Sequence, residues 1–228
     1  MKTLVIVGAG KGLGLSVAKR FGRENFQIAL IARNTQNLQS MVDELNKSGI
    51  EASYFAADIY KKEQIEKAFA DIKVKYGKID VVEVSPLAGN YPPTSVLDLT
   101  AENAKDYFEG LVVSAINIVN LVTPDMMERG EGALLFTTGL SAVYPIPFMG
   151  NAGIAMAGLR NYLANLHTEL SSKGIFVANR SLGVRITAGT GEINDPEVIA
   201  DMWYQVYANK LVGDDVYPEG VTLSTIVI

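Results

Sequence analysis

The chain has 228 residues, a formal net charge of −5 at pH 7, one histidine and no cysteine. This length can bury a substantial core within a single large α/β unit. The missing cysteine excludes disulfides, thiolate metal sites and a cysteine nucleophile, and the acidic balance without a basic block argues against nucleic acid as a partner. The start lacks a signal-peptide pattern and no apolar run reaches the length of a membrane span, so we expect a cytoplasmic protein without a membrane partner.

A glycine-rich turn joins the first predicted strand to the first predicted helix. Residues 7–14 read V-G-A-G-K-G-L-G, and they follow an apolar run and precede a helical pattern that extends to Phe21. The spacing is Gly-x-x-x-Gly-x-Gly, while the common G-x-G-x-x-G form fails because leucine stands at its last position. Unpaired backbone N–H groups at a helix start favour an anion, and glycine lets the backbone approach it, so the turn suits a dinucleotide pyrophosphate. An ordinary glycine turn is the alternative. The expected cofactor contacts in this turn are Gly8, Lys11, Gly12, Leu13 and Gly14.

The rest of the chain alternates short β-type runs with amphipathic helical stretches. The predicted strands are Thr3–Val7, Phe26–Arg33, Ala52–Ala57, Val81–Ser85, Ala133–Thr137, Ile175–Ser181 and Thr222–Ile228. The predicted helices are Gly12–Gly22, Gln36–Lys47, Lys61–Tyr76, Ala101–Arg129, Ala152–Ser172 and Pro196–Ala208. This alternation predicts an α/β fold, a Rossmann-type doubly wound parallel sheet of about seven strands with helices on both faces, formed as one domain by residues 1–228.

Ligands of such sheets bind beyond the carboxyl ends of the strands, where this sequence places polar residues. Arg33 and Asn34 follow the second predicted strand, at the point where a site that prefers NAD would hold an acidic residue. Arg33 and Lys11 together suit a 2′-phosphate, which indicates NADP(H); a solvated charge at the strand end is the alternative for Arg33. Asp58 ends the third strand and either accepts from an adenine amino group or caps the next turn.

These features resemble the short-chain dehydrogenase/reductase family over essentially the whole chain. The glycine spacing is similar to the family's cofactor loop, although Val7 stands where threonine is usual, and Ala57-Asp58 is similar to its adenine-side aspartate. Gly183 and Thr187 fit the family's Pro-Gly-x-x-x-Thr segment. The further cofactor contacts that the resemblance implies are Ile59, Ser85, Pro86, Gly183 and Thr187. It also implies a homodimer or homotetramer that pairs through the fourth and fifth helices.

The family's proton-transfer residues are not matched. In register with the fifth helix, the positions of its Tyr-x-x-x-Lys pair hold Ala152 and Met156, the position of its substrate-orienting serine holds Gly139, and its helix-four asparagine falls near Leu111. No lysine occurs between residues 105 and 173, so a shifted alignment does not restore the pair. General acid catalysis contributes about 100- to 10,000-fold, so we expect the usual dehydrogenase turnover to be largely lost.

Ser141 and Tyr144 are the remaining candidates for a proton donor, because both follow the fifth strand near the expected nicotinamide. An apolar pocket wall is the alternative for Tyr144, which precedes the apolar segment 145–149. Glu83 is an unusual acid among valines in the fourth strand, and a paired residue is the alternative to a base. Trp203 lies at helical spacing with two tyrosines, and it either covers an apolar pocket or packs in the core.

Two functions follow from these observations. The first is an NADP(H)-binding protein that resembles the family, has lost the usual catalytic Ser, Tyr and Lys, and acts as a cofactor-responsive binding or regulatory protein, with a small apolar ligand as a further candidate partner. The second is an NADP(H)-dependent oxidoreductase that reduces a carbonyl or activated acceptor with a non-standard proton donor. We expect no metal site.

Overall fold

The computed structural model describes residues 1–86, 89–212 and 214–225, and within them seven parallel strands form one sheet. The strands are β1 Lys2–Val7, β2 Phe26–Ala32, β3 Ala52–Ala56, β4 Val81–Val84, β5 Gly132–Gly139, β6 Ile175–Leu182 and β7 Asp214–Tyr217. Their order is β3-β2-β1-β4-β5-β6-β7, with every neighbouring pair parallel. The chain changes direction across the sheet between β1 and β4, and this switch point is where sheets of this type bind ligands.

Helices cover both faces of the sheet. They are α1 Leu13–Gly22, α2 Thr35–Lys47, α3 Lys62–Tyr76, α4 Ala101–Phe108, α5 Ser114–Arg129, α6 Gly150–Ser171 and α7 Pro196–Ala208. A π-helical segment, Glu109–Val113, joins α4 to α5. The helices α1, α2 and α7 bury their apolar sides in one core, and α3 to α6 bury theirs in a second core across the sheet.

The strand sequences explain this three-layer arrangement. In β1, Val5 and Val7 belong to one core and Leu4 and Ile6 to the other, because successive side chains of a strand point to opposite faces. All four side chains are fully buried. A strand covered on both faces reads as a continuous apolar run, as β1 does.

The predicted fold is confirmed, and the first six strands lie within two residues of their predicted ends. The predicted seventh strand, Thr222–Ile228, is wrong. The Thr225 amide donates to the Thr222 carbonyl at 3.0 Å and closes a turn there, while residues 226–228 lie outside the described part of the chain. The observed β7 begins with two aspartates, which are depleted in strands, so its sequence gives little strand signal.

The continuous helical stretch Ala101–Arg129 has its predicted bounds, but it departs from the expectation that no apolar run is long enough to span a membrane. By length and composition it is apolar enough to cross a membrane, and it is the one described helix that meets this criterion. However, 56% of its most apolar window is buried inside the structure. The stretch packs on the sheet as a core helix, which explains its apolar composition.

Candidate functional site

The glycine turn after β1 lies against the end of β4. Gly8 has a φ of +86°, and its amide and that of Ala9 donate to the Ile31 carbonyl at 2.9 and 3.0 Å. A Cβ on Gly8 would lie 2.4 Å from the Cα of Pro86 and 2.9 Å from the carbonyl carbon of Ser85. Glycine is therefore required at this position both for the backbone conformation and for the close approach of two backbones.

The second half of the turn opens outward. Gly12 is the N-cap of α1, and no side chain of the described residues caps the helix there. A Cβ on Gly12 would meet no described atom within 4 Å, so this side of Gly12 faces open space. In the first turn, the Leu15 amide donates to the Gly10 carbonyl at 2.9 Å. Lys11 is exposed next to Gly12, whereas the Leu13 side chain is buried, so only the main chain of Leu13 is available to a ligand. Gly14 allows the helix to pack on the turn, because a Cβ there would lie 3.0 Å from the Cα of Ala9.

A cavity of about 330 Å³ lies beside this turn, over the ends of β1, β2 and β3. It is lined by Gly8, Ala9, Ala32, Arg33, Asn34, Asn37, Ala57, Ile59, Tyr60 and Pro86. Five predicted cofactor contacts therefore share one cavity. Asn34 also caps α2, since its Oδ1 accepts from the Asn37 amide at 2.9 Å. Asn37 and Tyr60 were not predicted; the capping position of Asn34 was the sequence signal that could have located Asn37.

Asp58 has the geometry of a turn-capping aspartate. Its Oδ1 accepts from the Tyr60 amide at 3.1 Å, and its own amide donates to Gln64 Oε1 at 2.9 Å. The residue does not line the 330 Å³ cavity. The contact of Asp58 with adenine stays a prediction.

Tyr60 joins the nucleotide side of the sheet to the loop after β4. Its hydroxyl accepts from the Gly89 amide at 2.8 Å and lies 3.4 Å from the Asp106 carbonyl oxygen. Burial raises the pKa of this phenol. The Asn90 amide donates to Asp106 Oδ2 at 2.6 Å, so Tyr60, just before α3, and Asp106 of α4 both hold this loop.

The remaining predicted contacts lie farther along the sheet edge. The Ser85 amide donates to the Val7 carbonyl at 3.0 Å, which aligns the end of β4 with the glycine turn. Gly183 is buried, and a Cβ there would lie 2.7 Å from Val221 Cγ1. Thr187 is exposed on the loop after β6 and does not line the 330 Å³ cavity. Cofactor contact by these three residues stays a prediction.

The positions matched to the family's serine, tyrosine and lysine come together at the end of β5 and the start of α6. The Met156 sulfur accepts from the Gly139 amide and from Ser141 Oγ, each at 3.3 Å. Ala152 lies on the first turn of α6 and is 1% exposed. A thioether, a methyl group and a glycine therefore occupy this region. Leu111, matched to the helix-four asparagine, is buried in the π-helical segment, a feature frequent at functional sites.

The two candidate proton donors lie in different surroundings. Ser141 is buried and directed at Met156, whereas Tyr144 lines a separate cavity of about 570 Å³ that also contacts Arg180 and α7. Fully buried Asn151 holds the loop after β4 over α6, because its Oδ1 accepts from the Thr94 amide at 2.9 Å.

Glu83 is a buried acid one residue before the end of β4, near the edge of the sheet where the cofactor contacts are predicted. Glu83 is fully buried in β4, and its two carboxylate oxygens accept from Ser85 Oγ at 3.0 Å and from Thr137 Oγ1 at 3.2 Å. Burial raises the pKa of this carboxyl to about 7, although the two hydroxyl donors oppose the shift.

Trp203 Nε1 donates to Thr137 Oγ1 at 3.1 Å, and its ring is fully buried. Trp203 is thus a core residue, so the interpretation of it as a pocket cover is wrong.

Comparisons with known proteins agree with this architecture. A family model described as short chain dehydrogenase matches residues 2–198. The 3-oxoacyl-acyl-carrier-protein reductase FabG of Staphylococcus epidermidis is 22% identical over 215 residues, which cover 94% of this chain and 86% of that protein. The very-long-chain 3-oxoacyl-CoA reductase of Anas platyrhynchos is 27% identical over 184 residues, covering 76% of this chain and 56% of that protein.

Solved structures share the whole fold. The L-sorbose reductase of Gluconobacter frateurii, complexed with NADPH and L-sorbose, superposes with a TM-score of 0.86 at 22% identity and covers 98% of this chain and 97% of its own. A metagenomic short-chain oxidoreductase in complex with NADP gives a TM-score of 0.83 at 16% identity, covering 97% and 98% of the two chains. At these identities the likeness establishes the arrangement of strands and helices.

Proposed function

The chain belongs to the short-chain dehydrogenase/reductase family, and on that premise we propose that it binds NADP(H) without performing the family's usual proton transfer. In this proposal residues 1–228 form one cofactor-binding domain. The protein acts as a cofactor-responsive binding or regulatory protein in the cytoplasm. The solved relatives that were complexed with NADPH or NADP support the choice of cofactor.

The residues at the sheet edge fit a dinucleotide. The α1 N-terminus has a glycine cap whose Cβ position is empty, which gives a phosphate access to backbone amides. The adjoining 330 Å³ cavity is lined by Arg33 and Asn37 and has no acidic side chain among its lining residues. A guanidinium without a nearby acid favours a 2′-phosphate over a free 2′-hydroxyl. Lys11 is exposed on the same turn and adds positive charge.

The contact around Met156 is the observation on which the loss of chemistry rests. Its sulfur accepts hydrogen bonds from the Gly139 amide and Ser141 Oγ. The family resemblance would place a lysine ammonium, a donor, at this position, and the surrounding donors suit an acceptor instead. A bound NADPH supplies a hydride. The side chains of Ala152, Met156 and Gly139 offer no proton to a carbonyl oxygen whose carbon would accept this hydride, so a ligand here is held rather than reduced.

The apolar character of this region also selects the ligand. Ala152 and Met156 replace charged and hydroxyl groups with apolar ones, so we expect a small apolar molecule if a second ligand binds beside the cofactor. We further expect a homodimer or homotetramer paired through α4, α5 and α6. Exposed Phe108 and Ile154 lie on α4 and α6 and support this surface as the interface.

A repair experiment tests the loss of chemistry. The triple variant Gly139→Ser, Ala152→Tyr, Met156→Lys and the parent are each offered NADPH with a panel of carbonyl compounds, and NADPH oxidation is followed by absorbance. We expect a silent parent and measurable turnover by the variant, since a general acid contributes about 100- to 10,000-fold. The matched control replaces Ala152 by phenylalanine in the same triple background, which fills the same space without a hydroxyl and should stay silent.

The outcome that contradicts the proposal is turnover by the parent equal to or above that of the repaired variant. The oxidoreductase alternative would then be favoured, and Ser141→Ala and Tyr144→Phe would identify its proton donor. Because Ala152 is 1% exposed, the added ring needs room. The thermal midpoint of each variant therefore accompanies the assay.

A further inference from the structure

Glu83 is an ionisable side chain whose neighbours in the strand register are apolar. It pairs in register with Ile6 of β1 and Leu135 of β5, both fully buried. Its two hydrogen-bond donors are the hydroxyls of Ser85 and Thr137. Neither donor neutralises a carboxylate, so an ionised Glu83 keeps its full charge in the core.

The charged residues on the surrounding elements are engaged elsewhere. On β6, Arg180 pairs in register with Thr137 of β5 and lies on the same face of the sheet. Its guanidinium donates to the carbonyls of Asn179 and Leu211 at 2.8 and 3.3 Å. On α1, Lys19 and Arg20 pair with Glu44 and with Asp201 of α7 at the surface. The remaining charged residues nearby are Lys2 on β1, which pairs with Glu131, and Asp80 just before β4, which pairs with Lys78. Glu197 on α7 is exposed. Within the described part of the chain, none of these groups is among the causes that shift the pKa of Glu83.

A continuous set of contacts joins Glu83 to the nucleotide edge. Ser85, whose hydroxyl donates to Glu83, also donates its amide to Val7 and lies with Pro86 against Gly8. On the other side, Thr137 joins Glu83 to Trp203 of α7. These contacts connect the carboxylate of Glu83 to the glycine turn through Ser85, and the Thr137 hydroxyl connects it to α7.

We propose, on the premise that the chain binds NADP(H), that Glu83 is a proton site linked to cofactor occupancy. Binding of the anionic dinucleotide draws a proton from solvent onto the Glu83 carboxylate, up to one per complex, and the affinity for the cofactor decreases as pH rises through neutrality. The protonated carboxyl then turns from acceptor to donor toward Ser85 or Thr137, and α7 senses the change through the indole of Trp203.

The sign follows from like-charge repulsion. Phosphates on the glycine turn disfavour a second negative charge nearby, so the complex holds the Glu83 proton to higher pH than the free protein does. A negative charge about 12 Å away at an effective dielectric constant of about 20 changes the proton affinity of a carboxylate about tenfold. Burial already raises the pKa of Glu83 to about 7 in the free protein, so the effect falls between about pH 6 and pH 9.

Calorimetric titration of the full chain with NADPH tests the linkage. The titration is run at pH 7 in two buffers of different ionisation enthalpy, which gives the protons taken up per complex, and is repeated from pH 6 to 9. For a tenfold change in proton affinity from a starting pKa of about 7, we expect the parent to take up about 0.4 proton more at pH 7 than Glu83→Gln does. We also expect a Kd that rises about tenfold more between pH 6 and 9 in the parent than in the variant. The difference between the two proteins cancels the titration of the cofactor's own 2′-phosphate.

Two further variants keep the result interpretable. His167→Gln removes the single histidine of the chain, which lies on α6 across the sheet, and should leave the uptake at the parent value. Ser85→Ala keeps the acid, removes one donor to its ionised form and leaves the contact of Thr137 with Trp203 in place. It should move the pH midpoint of the emission of Trp203, the only tryptophan, to higher pH in the free protein. This emission titration serves even if Glu83→Gln fails to fold.

The outcomes separate the two proposals. Equal proton uptake by the parent and Glu83→Gln, or an unmoved Trp203 midpoint in Ser85→Ala, overturns the linkage and leaves NADP(H) binding standing. No heat of binding with NADPH at any pH refutes the proposed function, and the linkage fails with it. Uptake that disappears in Glu83→Gln and persists in His167→Gln supports both.

Discussion

Arg33 is the residue whose replacement most sharply tests the choice of cofactor. Its side chain is exposed at the end of β2, on the wall of the 330 Å³ cavity beside the glycine turn. Arg33→Asp removes a guanidinium that suits a 2′-phosphate and supplies a carboxylate that accepts from a ribose 2′-hydroxyl. We expect the substitution to shift the binding preference of the protein from NADPH toward NADH.

The magnitude follows from the surroundings of the side chain. A hydrogen bond to a charged group contributes about 1.5–3 kcal/mol, or roughly 10- to 150-fold in affinity. Because Arg33 is exposed, solvent screening brings the expected loss for NADPH toward the lower part of this range, about 10- to 50-fold. The new acid should improve NADH several-fold, so the ratio of the two affinities changes by about 100-fold.

The assay is a pair of calorimetric titrations, NADPH and NADH, on the parent and the variant. Arg23→Asp is the matched control, because Arg23 is exposed at the opposite end of α1 and the change in net charge is the same. It should leave both affinities within about twofold. An equal loss for NADPH in the two variants would assign the effect to net charge, and an unchanged NADPH affinity in Arg33→Asp would refute the 2′-phosphate argument.

Three other outcomes concern stability. Gly8→Ala should lower the free energy of unfolding, measured in urea, by about 2–4 kcal/mol, because the residue has a positive φ and its new Cβ would lie 2.4 Å from the backbone of Pro86. The control Gly130→Ala has a φ of +64° and no described atom within 4 Å, and it should cost only about 1–2 kcal/mol. Equal losses would contradict the close-approach argument. Burial raises the folded-state pKa of Glu83 from 4.5 to about 7, so the folded state keeps a proton that the unfolded chain has released between these values. The free energy of unfolding should therefore fall by about 3 kcal/mol as pH rises from about 4.5 to 7, and a matching decline in Glu83→Gln would show that another group causes it. Asn151→Ala should cost about 2–3 kcal/mol and speed proteolysis near Thr94, whose amide it holds; unchanged cleavage would show that the loop is held by other contacts.

The nucleotide side of the site could be predicted because it depends on strand ends. The glycine turn and Arg33 each follow a strand with a clear apolar pattern, and parallel strands bring their carboxyl ends to one edge, so their meeting around one cavity follows from the strand pattern. Pro86, which lines the same cavity, was expected from the family resemblance. The predicted position of the seventh strand was wrong because local composition misled it. The β-branched and aliphatic residues of 222–228 are more typical of a strand than Asp214–Tyr217 is.

The surroundings of Glu83 could not be predicted. Its partner Thr137 lies 54 residues away, and their contact depends on the register in which β4 pairs with β5. The contact of Thr137 with Trp203 depends in turn on how α7 packs on the sheet. A local pattern marks the acid as unusual, but only the assembled layers show that it is fully buried between two hydroxyls. The same limit applies to Tyr60, which reaches a loop 29 residues later.

Calorimetric titration of the unmodified protein with NADPH and, separately, NADH tests the central claim most directly. The account predicts saturable binding of NADPH at one site per chain and much weaker binding of NADH, because Arg33 lines the cavity where the 2′-phosphate is expected and no acid lines it. Exposed Lys11 on the adjoining turn adds positive charge. Absence of binding by either dinucleotide would contradict it, and would mean that the glycine turn of this chain no longer holds a cofactor.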